Sequence, residues 1–333
     1  MEKLGKLFIV LPVHNRKEVT LHFFKQLSNQ TFQNYQAILI DDGSKDGTST
    51  AIKEYFPSTV IIPGDGNLWW GGSLHKAYQW IQKNLKTNPK EDAVLIINDD
   101  TFFENNYLEN GLTLLANSNK SVVFSKCYDY DTQQLIDHGV TWNWENLTCR
   151  QAFDENQINC CSTRGLFLRL HDYIQLGPMY PKLIPHFLSD YEYGMRAHQR
   201  GFKIKTSDSV FVSTKAEPSG FVTIHYNSIK RFKDSLFSKK YYGQPIYYLN
   251  LVVLRAPTLK LKIKGSLRIL KEFKQHLKCL LREAPEFVIL RIMLKLAYSV
   301  LRYCKKITIN ILYPPFFHCR LHIRKWLSSF YKL

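Results

Sequence analysis

The chain has 333 residues, 45% of them hydrophobic and 14% aromatic, which is enough for a sizeable core and excludes a disordered polymer. Its formal net charge is +17, yet 17 Lys and Arg against 3 Asp and Glu fall in 256–333, leaving 28 against 25 in 1–255. Seven cysteines without a CxxC pair exclude a disulfide framework and a zinc ribbon.

The first apolar run, "KLFIVLP", predicts a buried strand that stops at Pro12. It is too short for a signal-peptide core, and no stretch reaches the roughly 18 uncharged apolar residues of a spanning helix. The expectation is a cytoplasmic protein. "EVTLHFFKQLSNQ" carries apolar residues at helical spacing, "YQAILIDD" is a second strand, and "TSTAIKEYF" a second helix. "TVIIPG" then predicts a strand, "GGSLHKAYQWIQKN" a helix led by glycines, and "DAVLIINDDT" a strand ending on acids. This alternation predicts an α/β fold with a mostly parallel central sheet, whose ligands sit at the carboxyl ends of the strands. Three of those ends carry polar clusters, "VHNR", "DDGSKDG" and "NDDT". From 121 to 225 the periodicity is mixed, apart from a helix over "LSDYEYGMRAHQRG" that Gly201 can stop. A boundary falls near Ala256-Pro257, where the charge balance changes. It divides a catalytic domain, 1–255, from a basic helical region, 256–333.

The carboxylates of "NDDT" suit Mg²⁺ or Mn²⁺, which take one or two carboxylates and complete their shell with substrate phosphates. Alone, the same residues also make a solvated turn. In "GDGNLWWGG", glycines flank Trp69 and Trp70, whose faces pack against sugar C–H faces or planar bases. One of the pair is expected to plug its helix onto the sheet instead.

Taken in order, "IVLPVHNR", "ILIDDGSKDGT", "GNLWWGGSLHKA", "LIINDDT" and "LSDYEYGMRAHQRGF" resemble the motifs of the family 2 glycosyltransferases with the GT-A fold, over roughly residues 5–225. The version resembles the branch that includes rhamnosyltransferases. The resemblance implies an inverting transfer from a nucleoside-diphosphate sugar, dTDP- or UDP-linked, to a saccharide or polyprenyl-linked saccharide in cell-surface polysaccharide synthesis. It implies that Asp41, with Asp42 beside it, recognises a pyrimidine base in a pocket lined by Pro12, Val13 and Asn15. Gly66, Asn67, Trp69, Trp70 and Gly71 approach the nucleotide sugar. Asn98 and Asp99 are expected among the substrate-binding residues, Asn98 near the ribose, and Asp100 binds the metal that bridges the diphosphate. Asp190 matches the catalytic base, although Ser189 stands where the family has glutamate, and Arg196 matches the arginine further along that helix and is expected among the substrate-binding residues. His225 is a second candidate ligand, or a structural histidine. A sugar nucleotidyltransferase is the competing reading, but it wants a glycine-rich loop after the first strand, and "PVHNRKE" has none. A non-catalytic nucleotide-sugar-binding protein is a third.

In the tail, "EFVILRIMLKLAYSVLRYCKK" (286–306) predicts a helix with Arg291, Lys295 and Arg302 on one face and apolar residues on the other. That suits the plane of an anionic membrane and places the protein peripherally at the inner face of the plasma membrane. A helical bundle packed on the catalytic domain and a homodimer interface are the other readings. Nucleic acid is not expected, since no recognition motif accompanies the charge.

Overall fold

The computed structural model describes residues 5–84, 91–215, 224–226, 228–239, 241, 243–283 and 296–303, with the side chains of 281–283 excepted. Strands β1 (Leu7–Val13), β2 (Tyr35–Asp41), β3 (Val60–Pro63) and β4 (Ala93–Ile96) alternate with helices α1 (Lys17–Ser28), α2 (Thr48–Tyr55) and α3 (Trp69–Asn84). The chain continues through β5 (Thr101–Phe102), α4 (Tyr107–Ala116), β6 (Ser121–Phe124), β7 (Lys126–Asp129) and β8 (Leu135–Asp137). A hairpin of β9 (Val140–Asn143) and β10 (Thr148–Gln151) follows. Then come β11 (Leu166–Arg169), α5 (Leu170–Leu176), α6 (Ser189–Gln199), β12 (Lys203–Lys205) and β13 (Phe211–Thr214). Helices α7 (Ile229–Phe237), α8 (Pro245–Arg255) and α9 (Leu259–Glu283) come last.

Seven strands make the main sheet, in the order β12-β6-β11-β4-β1-β2-β3. Every pairing is parallel except those of β11, which runs antiparallel to both β4 and β6. A smaller sheet, β5-β13-β7-β8, stands beside it. The mixed periodicity of 121–225 thus supplies one edge of the main sheet and most of the small one. Short strands on two sheets give no single repeat in the sequence.

The strands read as continuous apolar runs because both faces of the sheet are covered. Along β1, Phe8 and Val10 join the core beneath α3 and α6, whereas Leu7, Ile9 and Leu11 join the core beneath α1 and α4. β1 runs one residue past Pro12, where the sequence predicts a stop. Val10 is the last residue of β1 that pairs with β4, while Pro12 and Val13 still pair with Ile40 and Asp41 of β2. The Val13 carbonyl accepts the Asp42 N–H, so Val13 faces β2 and its neighbour Pro12 faces the side that β4 has already left. The missing N–H of Pro12 therefore costs no ladder bond.

Two compact units divide the chain, one of Met1–Thr223 with Ser235–Ile269, the other of Ile224–Asp234 with Leu270–Leu333. The first unit thus runs past the change in charge at Ala256. Its continuation is held by packing: a Cβ on Gly265 would meet Val252 of α8 at 3.0 Å. In the second unit the Tyr226 hydroxyl lies 2.8 Å from His276 Nδ1. Of the helix predicted over 286–306, residues 296–303 are helical and the rest lies outside the described residues. Among the described residues no helix is long and apolar enough to cross a membrane.

Candidate active site

The register of the sheet sets Val13 beside Asp41 and Asp41 beside Pro63, so the first three strands deliver their ends side by side. Pro12 is partly buried and Val13 buried there. Asp41 is buried, with Oδ1 accepting from the Ser44 N–H at 2.8 Å and Oδ2 from the Ser49 hydroxyl. Asn15, with φ 51°, ties the first loop to the second. Its N–H donates to Ser44 Oγ at 2.8 Å, and its Oδ1 accepts from the Lys45 N–H at 2.7 Å.

Asp42 is also buried, but its carboxylate faces the tryptophan loop. Oδ1 accepts from the Gly66 N–H (2.9 Å) and Leu68 N–H (3.1 Å), and Oδ2 from the Trp69 N–H (3.0 Å). The Leu68 and Trp69 N–H groups are donors that a helix start leaves without intrahelical partners, so Asp42 caps α3 from the neighbouring strand end, and its bond from Gly66 pins the loop before it. That cap lets α3 begin at Trp69, before the glycines that the sequence marks as its start. Gly66 sits at φ 84°, where glycine alone is unstrained.

The two tryptophans part ways. Trp70 packs against the core and donates from Nε1 to buried Thr163 Oγ1 at 2.9 Å. It is the plug. Trp69, at φ 58°, stays at the surface edge, 5.2 Å from the His186 ring. Its Nε1 donates to Asn67 Oδ1 at 3.1 Å, and Lys239 Nζ, which donates to the same oxygen at 2.7 Å, lies 5.6 Å from the Trp69 ring. A non-glycine residue at positive φ costs about 1–3 kcal/mol and marks a shape imposed from outside. Gly71 explains how closely the segment before α6 approaches α3. Its N–H donates to the Pro185 carbonyl at 2.8 Å, and a Cβ there would meet the Ile184 carbonyl oxygen at 2.9 Å.

After β4 the three polar residues point apart. Partly buried Asn98 gives its carbonyl to the Thr101 hydroxyl at 2.8 Å. Asp99 turns inward, where Thr20 donates to Oδ2 at 3.0 Å and Arg16 Nη1 lies 3.3 Å from Oδ1. Burial pushes Asp99 up to about 6, against the Arg16 guanidinium, with the Asp100 charge adding to the rise. Asp100 pairs with Arg16 Nη2 at 3.2 Å through Oδ2, while its Oδ1 is buried without a hydrogen-bond partner. A carboxylate oxygen left bare in this way fits a cation ligand. Among the described residues no three His, Cys, Asp or Glu side chains cluster as a metal cage, so a metal here would take its other ligands from substrate and water, as Mg²⁺ does.

Asp99 gives a test of this electrostatics. Its pKa is higher folded than unfolded, so the stability it contributes is complete below about pH 4 and is lost as pH rises through about 6. Two pH units correspond to about 3 kcal/mol. Asp99→Asn is expected to flatten the fall in unfolding free energy between about pH 4 and 7 by that order, measured by urea denaturation. An unchanged slope would place the titration elsewhere.

Across the site, α6 starts after Leu188, which sits at φ 68°. Asp190 is half-buried in its first turn, its Oδ1 accepting from the Tyr191 N–H at 2.8 Å. Burial pushes Asp190 up to about 6; the Tyr191 N–H and Arg164 oppose the rise and Asp137 adds to it. Glu192, two residues on, is sealed between two arginines, Arg255 Nε at 3.0 Å from Oε1 and Arg196 Nη2 on Oε2. Arg196 is 0% exposed. Its Nη1 also donates to the Leu176 (3.0 Å) and Pro178 (2.8 Å) carbonyls, and the guanidinium lies 4.4 Å from the Tyr180 ring. The arginine expected to touch substrate is therefore a strut inside the protein, locking α6 to the 176–180 turn. His225 is exposed and belongs to the second unit.

Sequence reasoning missed Arg16, Thr20, Asp137, Thr163 and Arg164. Arg164 is largely buried, with Nη1 3.3 Å from Cys127 Sγ and Nε without a partner. Burial alone would lower its pKa, but the Cys127 thiol and the charges of Asp100 and Asp137 hold it above the ordinary value. It acts on Asp190 as well, so one cation bears on both sides of the site. Arg16 was legible within "VHNR"; nothing local to "CSTRG" announces Arg164.

The sequence profile described as "Glycosyl transferase family 2" matches residues 8–174, from β1 into α5. The chain belongs to that family. Its fold is the GT-A fold of solved glycosyltransferases. GalNAc-T7, solved with UDP, GalNAc and Mn²⁺, is 12% identical over 84% of this chain, with a TM-score of 0.53. The chain spans 56% of that protein's length. The mannosyltransferase PcManGT of Pyrobaculum calidifontis, solved with GDP-Man and Mn²⁺, is 13% identical over 98% of this chain and 84% of its own, with a TM-score of 0.50. No curated protein matches the chain.

Proposed function

We propose that this glycosyltransferase works by inversion, moving a sugar from a dTDP- or UDP-linked donor to a saccharide or polyprenyl-linked saccharide in cell-surface polysaccharide synthesis. The observation that carries the reading is the contrast on α6. Asp190 is partly open with its pKa raised to about 6, whereas Glu192 is sealed between arginines. A base must reach the acceptor hydroxyl and be unprotonated near neutral pH, and of these two acids Asp190 alone meets both conditions. It takes the proton as the acceptor oxygen attacks the anomeric carbon, and the nucleoside diphosphate leaves from the opposite face.

In this reading Asp41 meets the nucleobase in the pocket of Pro12, Val13 and Asn15, and Asn98 lies by the ribose. Trp69, backed by Gly66 and Asn67, offers its ring to a sugar face. Asp42, Asp99, Trp70 and Arg196 act one step back, as positioning residues. Asp100 would hold Mg²⁺ or Mn²⁺ through its bare oxygen; the metal would neutralise charge developing on the leaving diphosphate. The Mn²⁺ in the structures of GalNAc-T7 and PcManGT agrees with that assignment. The "GNLWWGG" and "NDDT" stretches support a rhamnosyltransferase-like donor site. The basic tail supports a peripheral place at a membrane holding a lipid-linked acceptor, and a homodimer is the alternative use of that tail.

The test is a panel of nucleotide sugars, read by protection against thermal unfolding with and without Mn²⁺. One pyrimidine nucleotide sugar is expected to protect, and Mn²⁺ to deepen the protection. In Asp100→Ala the metal's increment should vanish while the fold persists, because Asp100 is a partly exposed strand-end residue. Equal Mn²⁺ dependence in the variant would remove Asp100 as ligand, and no protection by any nucleotide sugar would remove the donor reading.

A further inference from the structure

The first half of α9, "LKLKIKGSLRI" (259–269), has three different sides. Gly265 and Ile269 are buried, with Gly265 against Val252 and Leu147. At 100° per residue the opposite side carries Leu259, Ile263 and Leu267, four residues apart. They are 61%, 53% and 61% exposed. Between these sides lies a cationic stripe of Lys260, Lys264 and Arg268, with Lys264 paired to Glu145. The stretch holds no acidic residue.

Single exposed aliphatic side chains need no explanation, but three in a contiguous row beside a cationic stripe do. The helix is gripped along the Gly265 side, so its exposed row is fixed facing outward. We propose that this row is a membrane-contact surface, with Leu259, Ile263 and Leu267 entering the acyl boundary and Lys260 and Arg268 meeting anionic headgroups. Charge selects this occupant. A second copy would press a chain of net charge +17 against its like, whereas an anionic leaflet attracts each basic residue by about fivefold in partitioning. The inference rests on the peripheral reading given above and names the surface that carries it.

The test uses the full chain with phosphatidylcholine vesicles, with and without phosphatidylglycerol, by co-sedimentation. Wild type should bind only the anionic vesicles and release in high salt. Leu259→Gln/Ile263→Gln/Leu267→Gln should keep its circular dichroism spectrum, since all three side chains are exposed, and lose about tenfold or more in binding. Lys260→Gln/Arg268→Gln should lose about 25-fold at low salt and little at high salt. Full binding by the triple variant would overturn this surface while leaving the peripheral reading standing. Failure of wild type to bind would overturn both. A concentration-dependent dimer that the triple variant alone abolishes, without vesicle binding, would assign the row to a second copy instead. Nucleotide-sugar hydrolysis by the same variants separates these outcomes from a failure of the catalytic assignment.

Discussion

Asp190→Asn is expected to lower turnover by about 10²–10⁴-fold, the range for loss of a general base, with nucleotide-sugar affinity nearly unchanged. Asparagine keeps the shape and the bond from the Tyr191 N–H, which reaches Oδ1 at 2.8 Å, and removes only proton acceptance. The pH profile carries a second signature. Burial holds Asp190 at about 6, above its ordinary value, so the active, unprotonated fraction grows as pH rises through about 6. kcat/KM should therefore fall about tenfold per unit below that point, and the variant should lose this limb. Stopped-assay kinetics from about pH 5 to 8 decide it. A variant that keeps both its rate and its acid limb means the proton goes elsewhere.

Arg196→Met is expected to cost about 3–5 kcal/mol of stability, the usual result of removing one partner of a buried ion pair. Arg196 is completely buried, holds Glu192 Oε2 and satisfies the Leu176 and Pro178 carbonyls. Its loss leaves Glu192 with the Arg255 pair alone and strands those carbonyls in a dry interior. The double variant Glu192→Gln/Arg196→Met should cost less than the sum of its single changes, because Glu192→Gln alone strands the Arg196 charge, which the double removes. Chemical denaturation measures the three. Near-native stability with lost nucleotide-sugar affinity would put Arg196 against substrate after all.

What could be read from the chain by itself was local. Apolar runs ending on "VHNR", "DDGSKDG" and "NDDT" announce buried parallel strands with polar tips, because a strand covered on both faces has no polar residue until it leaves the sheet. The motif order carried the family, and the profile match over 8–174 agrees. Other decisions belonged to tertiary structure, since they depend on which residues from distant segments meet. Asp41 and Asp42 are neighbours of the same type, yet one lines the strand ends and the other caps α3 and pins the loop before it through three N–H groups more than twenty residues away. Trp69 and Trp70 are identical, adjacent and both partly buried, and only the docking of Thr163 and His186 separates a plug from a ring at the surface edge. Asp190 and Glu192 differ because Arg196 and Arg255 close on one acid and leave the other partly open. The change of charge at Ala256 was visible in composition, but α9 packs on past it, since the small Gly265 lets the helix lie against Val252. Composition registers where charge changes along the chain; only close packing decides where a folded unit ends.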